Sequence, residues 1–315
     1  MRYGMLALVA GAVGLAAGCD LRVEGDEGEL FFEYDAEGLH SFRRAVAVGS
    51  RADVAVSLDE EGDEPAEVSA VTFEVPDVFD LIETEGHRFT LEGLEVGETR
   101  VTVDAADRSD RITMEAAAVA SVELRVPNPF TVNDGASVAF LEGGTARVPA
   151  TLEDEGGSRL TGYGLPGFTA DPEAAATFAG FETQDPNFLH VTFAEAGPVA
   201  LDHEHLEAPF EVEVVPTSEV ASLSWTDFGT TGDGISVGES TLLLLVAMLD
   251  DEETRLYGTD GAAALEVTPS EVCALAHSRL WGDSTWELEG LSAGDCTVEA
   301  TLGEETAIYE VTVTE

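Results

Sequence analysis

Residues 89–103 read FTLEGLEVGETRVTV, and residues 286–300 read WELEGLSAGDCTVEA. Leu91, Glu92, Gly93, Leu94 and Gly97 recur as Leu288, Glu289, Gly290, Leu291 and Gly294, and a weaker middle copy, FAEAGPVAL, brings its glycine to Gly197. Glycines that return about every hundred residues indicate three similar units in tandem, because self-similarity at a fixed period marks a repeated supersecondary module. In each copy an alternating strand runs into a glycine turn and a second alternating strand follows, which reads as a β-hairpin.

Working outward to the N-terminus, Arg2 precedes the apolar run from Met5 to Ala17, too short for an ordinary transmembrane helix and of the length of an export signal. Its end, Leu15-Ala16-Ala17-Gly18-Cys19, resembles the bacterial lipoprotein signal. That resemblance implies removal of residues 1–18, lipidation of Cys19 and a tether to a membrane of the cell envelope, with buried acyl methylenes at about 0.8 kcal/mol each holding it there. Residues 19–27 are then expected to be a short charged tether. The rest divides into units at 28–118, 119–217 and 218–315, each about the size of one Ig-like sandwich.

The formal net charge is −49 at pH 7, and all 14 basic residues are arginine. Such a surface repels phosphate, so nucleic acid is excluded as a partner while cations, basic surfaces and saline surroundings suit it. With 44% hydrophobic residues the chain still has enough apolar material for three cores.

Period-two alternation at Val54, Val56 and Leu58, and again at Val71, Phe73 and Val75, predicts half-buried strands. The head VASVELRV at 119–126 matches VASLSW at 220–225, so each unit begins where the last strand of its predecessor ends. Joints this short restrict bending and predict a semi-rigid rod. Before each of the expected hairpins stands a second anchor: PDVFDL at 76–81, PEAAATF at 172–178 and PSEVCAL at 269–275. Together with VGES at 237–240 and the last glycine turn, these segments resemble the bacterial Ig-like domains of invasin and intimin type. The resemblance implies an all-β chain of three tandem Ig-like sandwiches, a fold used in surface adhesins and envelope proteins, and it brings no catalytic residues.

Cys273 and Cys296 occur in the third unit alone, where the first has Phe79 and Thr99, and share strand parity with inward residues. In an exported protein they are expected to form a disulfide. His203 and His205, two apart beside Asp202, can present both imidazoles on one strand face, with His190 as a third metal ligand; the other reading is a polar turn. An acidic turn recurs after the second strand of each unit, with Asp59 and Asp63, Asp154, and Asp250 and Asp251. These are either Ca²⁺ ligands that stiffen the rod or solvated turns.

The sequence contains no G-x-S-x-G elbow, phosphate loop, H-E-x-x-H or dinucleotide fingerprint, so the expectation is a non-enzymatic protein. The run Leu242 to Leu249 is apolar on both faces of its strand, one for the core and the other for internal cover or for a partner. Leu243, Leu245, Trp225 and Trp281 therefore make the third unit the candidate surface for a protein or glycan ligand. The alternative is a purely structural spacer.

Overall fold

The computed structural model describes residues 21–35, 41–60, 62, 64–127, 138–228, 234–249, 254–278 and 284–315. The chain is all-β. In the first unit a five-stranded sheet (Arg22–Glu24, Phe31–Tyr34, Arg51–Ser57, Arg88–Gly93, Phe79–Glu85) faces a four-stranded sheet (Val46–Ala47, Arg108–Ala117, Gly97–Ala105, Val68–Phe73). Phe32, Val54, Phe79, Phe89, Leu91, Val101, Val103 and Ile112 fill the space between them. Two further clusters follow, one around Phe140, Val148, Val191, Phe193 and Leu201, the other around Leu243, Leu245, Trp286, Leu288, Val298 and Ala300.

The repeat that organises the sequence returns in the burial of matched residues and in one matched backbone hydrogen bond per unit. Phe89 and Trp286 are both buried, as are Leu91 and Leu288, while Leu94 and Leu291 face solvent. Gly49 N–H donates to Gly93 O at 2.8 Å, Gly143 N–H to Phe193 O at 2.7 Å, and Gly238 N–H to Gly290 O at 2.8 Å. These bonds place residues 49, 143 and 238 in register and give every unit one frame. A Cβ at Gly93 would lie 3.0 Å from Ala47 O, and one at Gly290 2.8 Å from Ser236 O, which accounts for glycine at both places.

The expected hairpin is a different structure. Arg88–Gly93 pairs with Phe79–Glu85 and Arg51–Ser57, whereas Gly97–Ala105 pairs with Arg108–Ala117 and Val68–Phe73. The glycine turn therefore carries the chain from one sheet to the other, and the same holds for Thr285–Gly290 and Gly294–Leu302. Alternation and a glycine define two strands and a bend; they do not say whether those strands pair with each other. The short tether also differs from expectation: Arg22–Glu24 is an edge strand paired with Phe31–Tyr34.

The sheets do not stop at the joints. In a nine-stranded sheet, Phe210–Val215 pairs in parallel with Val138–Leu141, which pairs in parallel with Arg255–Tyr257 and so leads into Ser240–Met248. Ala47 and Ala117 of the first unit and Tyr257 of the third pack into the second cluster. Ala139, Leu141 and Val215 pack into the third.

Candidate functional site: the faces where units meet

Both joints use one device. Arg159-Leu160-Thr161-Gly162 and Arg255-Leu256-Tyr257-Gly258 share an Arg-Leu-x-Gly order, each just after the acidic turn of its unit. Each lies along the edge of the preceding unit as an added strand. At the first joint Ala47 N–H donates to Thr161 O and Thr161 N–H to Ala45 O, both at 2.9 Å. Arg51 N–H donates to Tyr163 O at 3.0 Å, and Tyr163 N–H returns to Arg51 O at 2.9 Å. At the second joint Arg255–Tyr257 runs along Val138–Leu141, and Thr145 N–H donates to Asp260 O at 2.8 Å.

The leucine and glycine of the device have separate tasks. Leu160 and Leu256 are fully buried in the cores of their own units and tie the segment to them, while Tyr257 reaches into the core of the preceding unit. Gly162, at φ +134°, passes so close that a Cβ would sit 2.0 Å from Ser50 Oγ. At the second joint the approach is mirrored, since a Cβ on Gly144 would lie 1.9 Å from Gly258 O. Sequence reading missed this pair, although Arg-Leu-x-Gly at the same offset after each acidic turn was the available signal. The first unit has no such tetrapeptide there, and Leu58 N–H instead donates to Glu64 O of the same unit at 2.8 Å.

Polar groups converge on both joint faces. Asp53 is buried and accepts hydrogen bonds at Oδ1 from Thr90 Oγ1 at 2.6 Å and from Tyr163 Oη of the second unit at 2.9 Å. Burial pushes its carboxyl above the usual range, the charges of Asp35 and Glu83 add to this, and the two hydroxyl donors only partly offset it. The Tyr163 hydroxyl is pushed up as well, by burial and by the charge of Asp53. Arg51 Nε meets Glu92 Oε2 at 3.0 Å and its guanidinium lies 3.9 Å from the Phe181 ring centre.

The residue that matches Asp53 in the second unit is Arg147. It is buried, ion-paired with Asp185, stacked 4.7 Å over Phe188, and donates from Nη1 to Ser278 O of the third unit at 3.4 Å. His190 Nε2 lies 3.0 Å from Asp185 Oδ2. A cleft of about 510 Å³, lined by Thr145, Arg147, Asp185, His190, Asp260 and His277, opens between the two units at this point. A buried, hydrogen-bonded ion pair is well suited to fix the register of one unit on the next.

The structure distributes the sequence-nominated residues as follows. Cys273 and Cys296 form a disulfide with a Cα–Cα distance of 6.3 Å, both side chains buried in the third core. Cys19, Asp63, Asp250, Asp251 and Trp281 lie outside the described residues. Leu243 and Leu245 are fully buried, so they belong to the core and not to a binding surface; Trp225 is half-buried against the same core.

The proposed histidine ligand set does not assemble. Among the described residues no three His, Cys, Asp or Glu side chains gather to hold a metal ion. Both ring nitrogens of buried His203 are engaged, Nε2 with Pro166 O at 3.1 Å and Nδ1 with His205 N–H at 3.2 Å, while His190 faces Asp185. Asp59 and Asp154 brace their own turns: Asp59 Oδ1 accepts from Gly62 N–H at 2.6 Å, and Asp154 Oδ1 from Gly156 and Ser158 N–H at 2.8 Å each.

No protein-family model matches the sequence, and no curated protein matches it. Among solved structures, domains 4–9 of the surface layer protein SbsC align at 16% identity with a TM-score of 0.28, over 93% of this chain and 48% of that one. Invasin, a bacterial integrin-binding protein, aligns at 12% identity and a TM-score of 0.23, over 90% and 60% respectively. The D00-D0 domain of intimin aligns at 12% and 0.20, over 62% and 100%. The chain thus spans about half the length of the first of these. Scores this low leave function to be argued from the joints themselves.

Proposed function

We propose that the chain is a non-enzymatic, lipid-anchored protein of the bacterial cell envelope, held through Cys19, whose sandwich units form a stiff rod that presents the third unit to a protein or glycan ligand. The observation that carries this reading is the strand pairing across both joints. A flexible linker would leave each unit free to swivel, whereas backbone hydrogen bonds between neighbours fix both translation and rotation. The buried Asp53–Tyr163 and Arg147–Ser278 contacts add side-chain bonds at the same faces. Rigid presentation at a distance from a membrane is the use to which such continuity is suited.

The test is a distance distribution between spin labels, one on an exposed site of the first unit and one on the third, in the full chain. A single narrow distribution is expected, and a broad one would refute the rod. Incorporation of labelled palmitate, lost on Cys19→Ala, tests the anchor. A rigid chain that is lipidated yet retains no envelope or host component on cross-linking favours the spacer.

A further inference from the structure

The cleft at the second joint is walled by both units, with Thr145, Thr183, Asp185 and His190 from the second and Asp260 and His277 from the third. Its volume of about 510 Å³ falls within the range of small-molecule sites, about 300–1,000 Å³, but its wall is rich in polar groups where such sites are mostly apolar. Asp185 is 4% exposed, and its two oxygens are treated unequally. Arg147 Nη2 and His190 Nε2 both meet Oδ2, whereas Oδ1 has no hydrogen-bond partner among the described residues. Thr183 Oγ1, two residues earlier in the chain and on the same wall, is likewise shut off from solvent and without a partner. Buried polar atoms left without partners are costly, so a cleft with two of them on one wall is complete only when an occupant supplies the missing bonds.

Charge narrows what that occupant is. The wall carries Glu182, Asp185 and Asp260 against one guanidinium, that of Arg147. Arg147 is itself paired with Asp185, stacked on Phe188 and bonded to Ser278 O, so the one cation of the wall is already engaged and an anion finds no counter-charge. A metal ion is poorly matched, because no three carboxylates or imidazoles converge among the described residues. Thr145 Oγ1 and Thr192 Oγ1 share one hydrogen bond at 2.8 Å, which uses one of their two O–H groups and leaves the other uncommitted. These groups match a compact cation that donates N–H bonds and carries hydroxyls of its own.

We propose that the cleft between the second and third units binds a small hydroxylated primary ammonium ion, the chemistry of an amino sugar, with its ammonium on Asp185 Oδ1 and Thr183 Oγ1. Charge-assisted hydrogen bonds are the strong ones, and this carboxylate is buried and already oriented by Arg147 and His190. Asp260 adds negative charge from the other unit, so the occupant touches both units and stabilises the joint by mass action. The site is separate from any ligand that the third unit presents, and it stands or falls without that reading.

The probe is protonated glucosamine, titrated into the full chain while backbone amide resonances are followed. Saturable shifts are expected at Thr183, Asp185 and His190 on one wall and at Asp260 and His277 on the other. N-acetylglucosamine, which keeps the hydroxyls and loses the charge, is expected to bind at least about tenfold more weakly. Thr183→Val removes a hydroxyl that has no partner in the protein, so its melting temperature should match the parent's while its affinity for glucosamine falls about fivefold. Asp185→Asn should lose binding as well, but it also weakens the Arg147 pair, which is why Thr183→Val carries the decision. Absence of saturable shifts with glucosamine, shifts confined to one unit, equal binding of the two sugars or unchanged affinity in Thr183→Val would each overturn the proposal. Displacement of glucosamine by calcium chloride at matched ionic strength would overturn it too, because the cleft would then be a metal site.

Discussion

Two buried aspartates show how neighbours one bond away decide the meaning of a residue. Asp110 is fully buried, and burial pushes its carboxyl up. Four backbone donors, Glu27 and Arg111 N–H at 2.7 Å on Oδ1, and Glu29 and Leu30 N–H at 2.7 and 3.0 Å on Oδ2, more than reverse this and hold it below the usual range. Gly25 completes the nest, because a Cβ there would lie 2.4 Å from the Asp110 carboxyl. A lowered carboxyl stabilises the fold above the ordinary carboxylate range and loses that effect as pH falls through its folded value. Asp110→Asn is therefore expected to cost about 2 kcal/mol in a denaturant melt at neutral pH, and the cost should shrink in acid. Asp53 has the opposite sign. Its raised carboxyl favours the folded, protonated form, so the first joint weakens as pH rises from the ordinary range through the raised one. Asp53→Asn should flatten this trend, read as the difference in melting temperature between variant and parent from about pH 3 to 7. A parent that gains no stability relative to the variant toward low pH would contradict it. Neither aspartate announces its role in sequence: Asp53 occupies the slot opposite inward Val54 and Val56, Asp110 shares the inward parity of Ile112 and Met114, and the groups that bond each lie far along the chain.

At the scale of the element, glycine spacing made the tandem units legible, and parity made the disulfide legible, because both depend on neighbours within a few residues or on a copy elsewhere in the chain. What stayed hidden was pairing. The run from Phe89 to Val103 contains two good strands and a glycine bend, and only the third dimension shows that the bend crosses the sandwich. Leu242 to Leu249 reads as apolar on both faces; Leu243 and Leu245 prove to be core, and Leu244 is also buried. The Arg-Leu-x-Gly strands were illegible for another reason: three residues of added strand give no periodicity, and the signal is only the repetition of the tetrapeptide. Their steric requirement yields a sharp expectation. Gly144→Ala would drive a methyl group against Gly258 O, at a cost of roughly 2–3 kcal/mol to the second joint. Faster amide exchange at Thr145 and along Val138–Leu141, with protection in the first unit unchanged, is the expected readout. Uniform exchange across all three units, or none gained at the joint, would show that the close approach is not what holds the units in register.

At the scale of the molecule, charge is distributed against the grain of the repeat. The first unit places arginine beside acid at several points, with Arg51 at Glu92, Arg88 at Asp35, Arg100 at Asp26 and Arg108 at Glu29. Beyond Arg159 the sequence contains only Arg255 and Arg279 against a continuing supply of Asp and Glu. Exposed ion pairs contribute little each and weaken in salt, whereas unbalanced like charge opposes folding and is relieved by salt. The two effects oppose each other in the first unit, whereas in the third, with two arginines, relief of repulsion meets little opposition. Calorimetry of the full chain between about 0.01 M and 1 M NaCl, across which the screening length falls from about 30 to 3 Å, should therefore separate them. The transition assigned to the third unit, identified by its loss of stability on reduction of the Cys273–Cys296 bridge, is expected to rise in temperature with salt. The first unit should change little. Equal shifts in both would mean that repulsion is shared through the continuous sheets, and a falling third-unit transition would mean that its acidic surface is already neutralised by groups of its own.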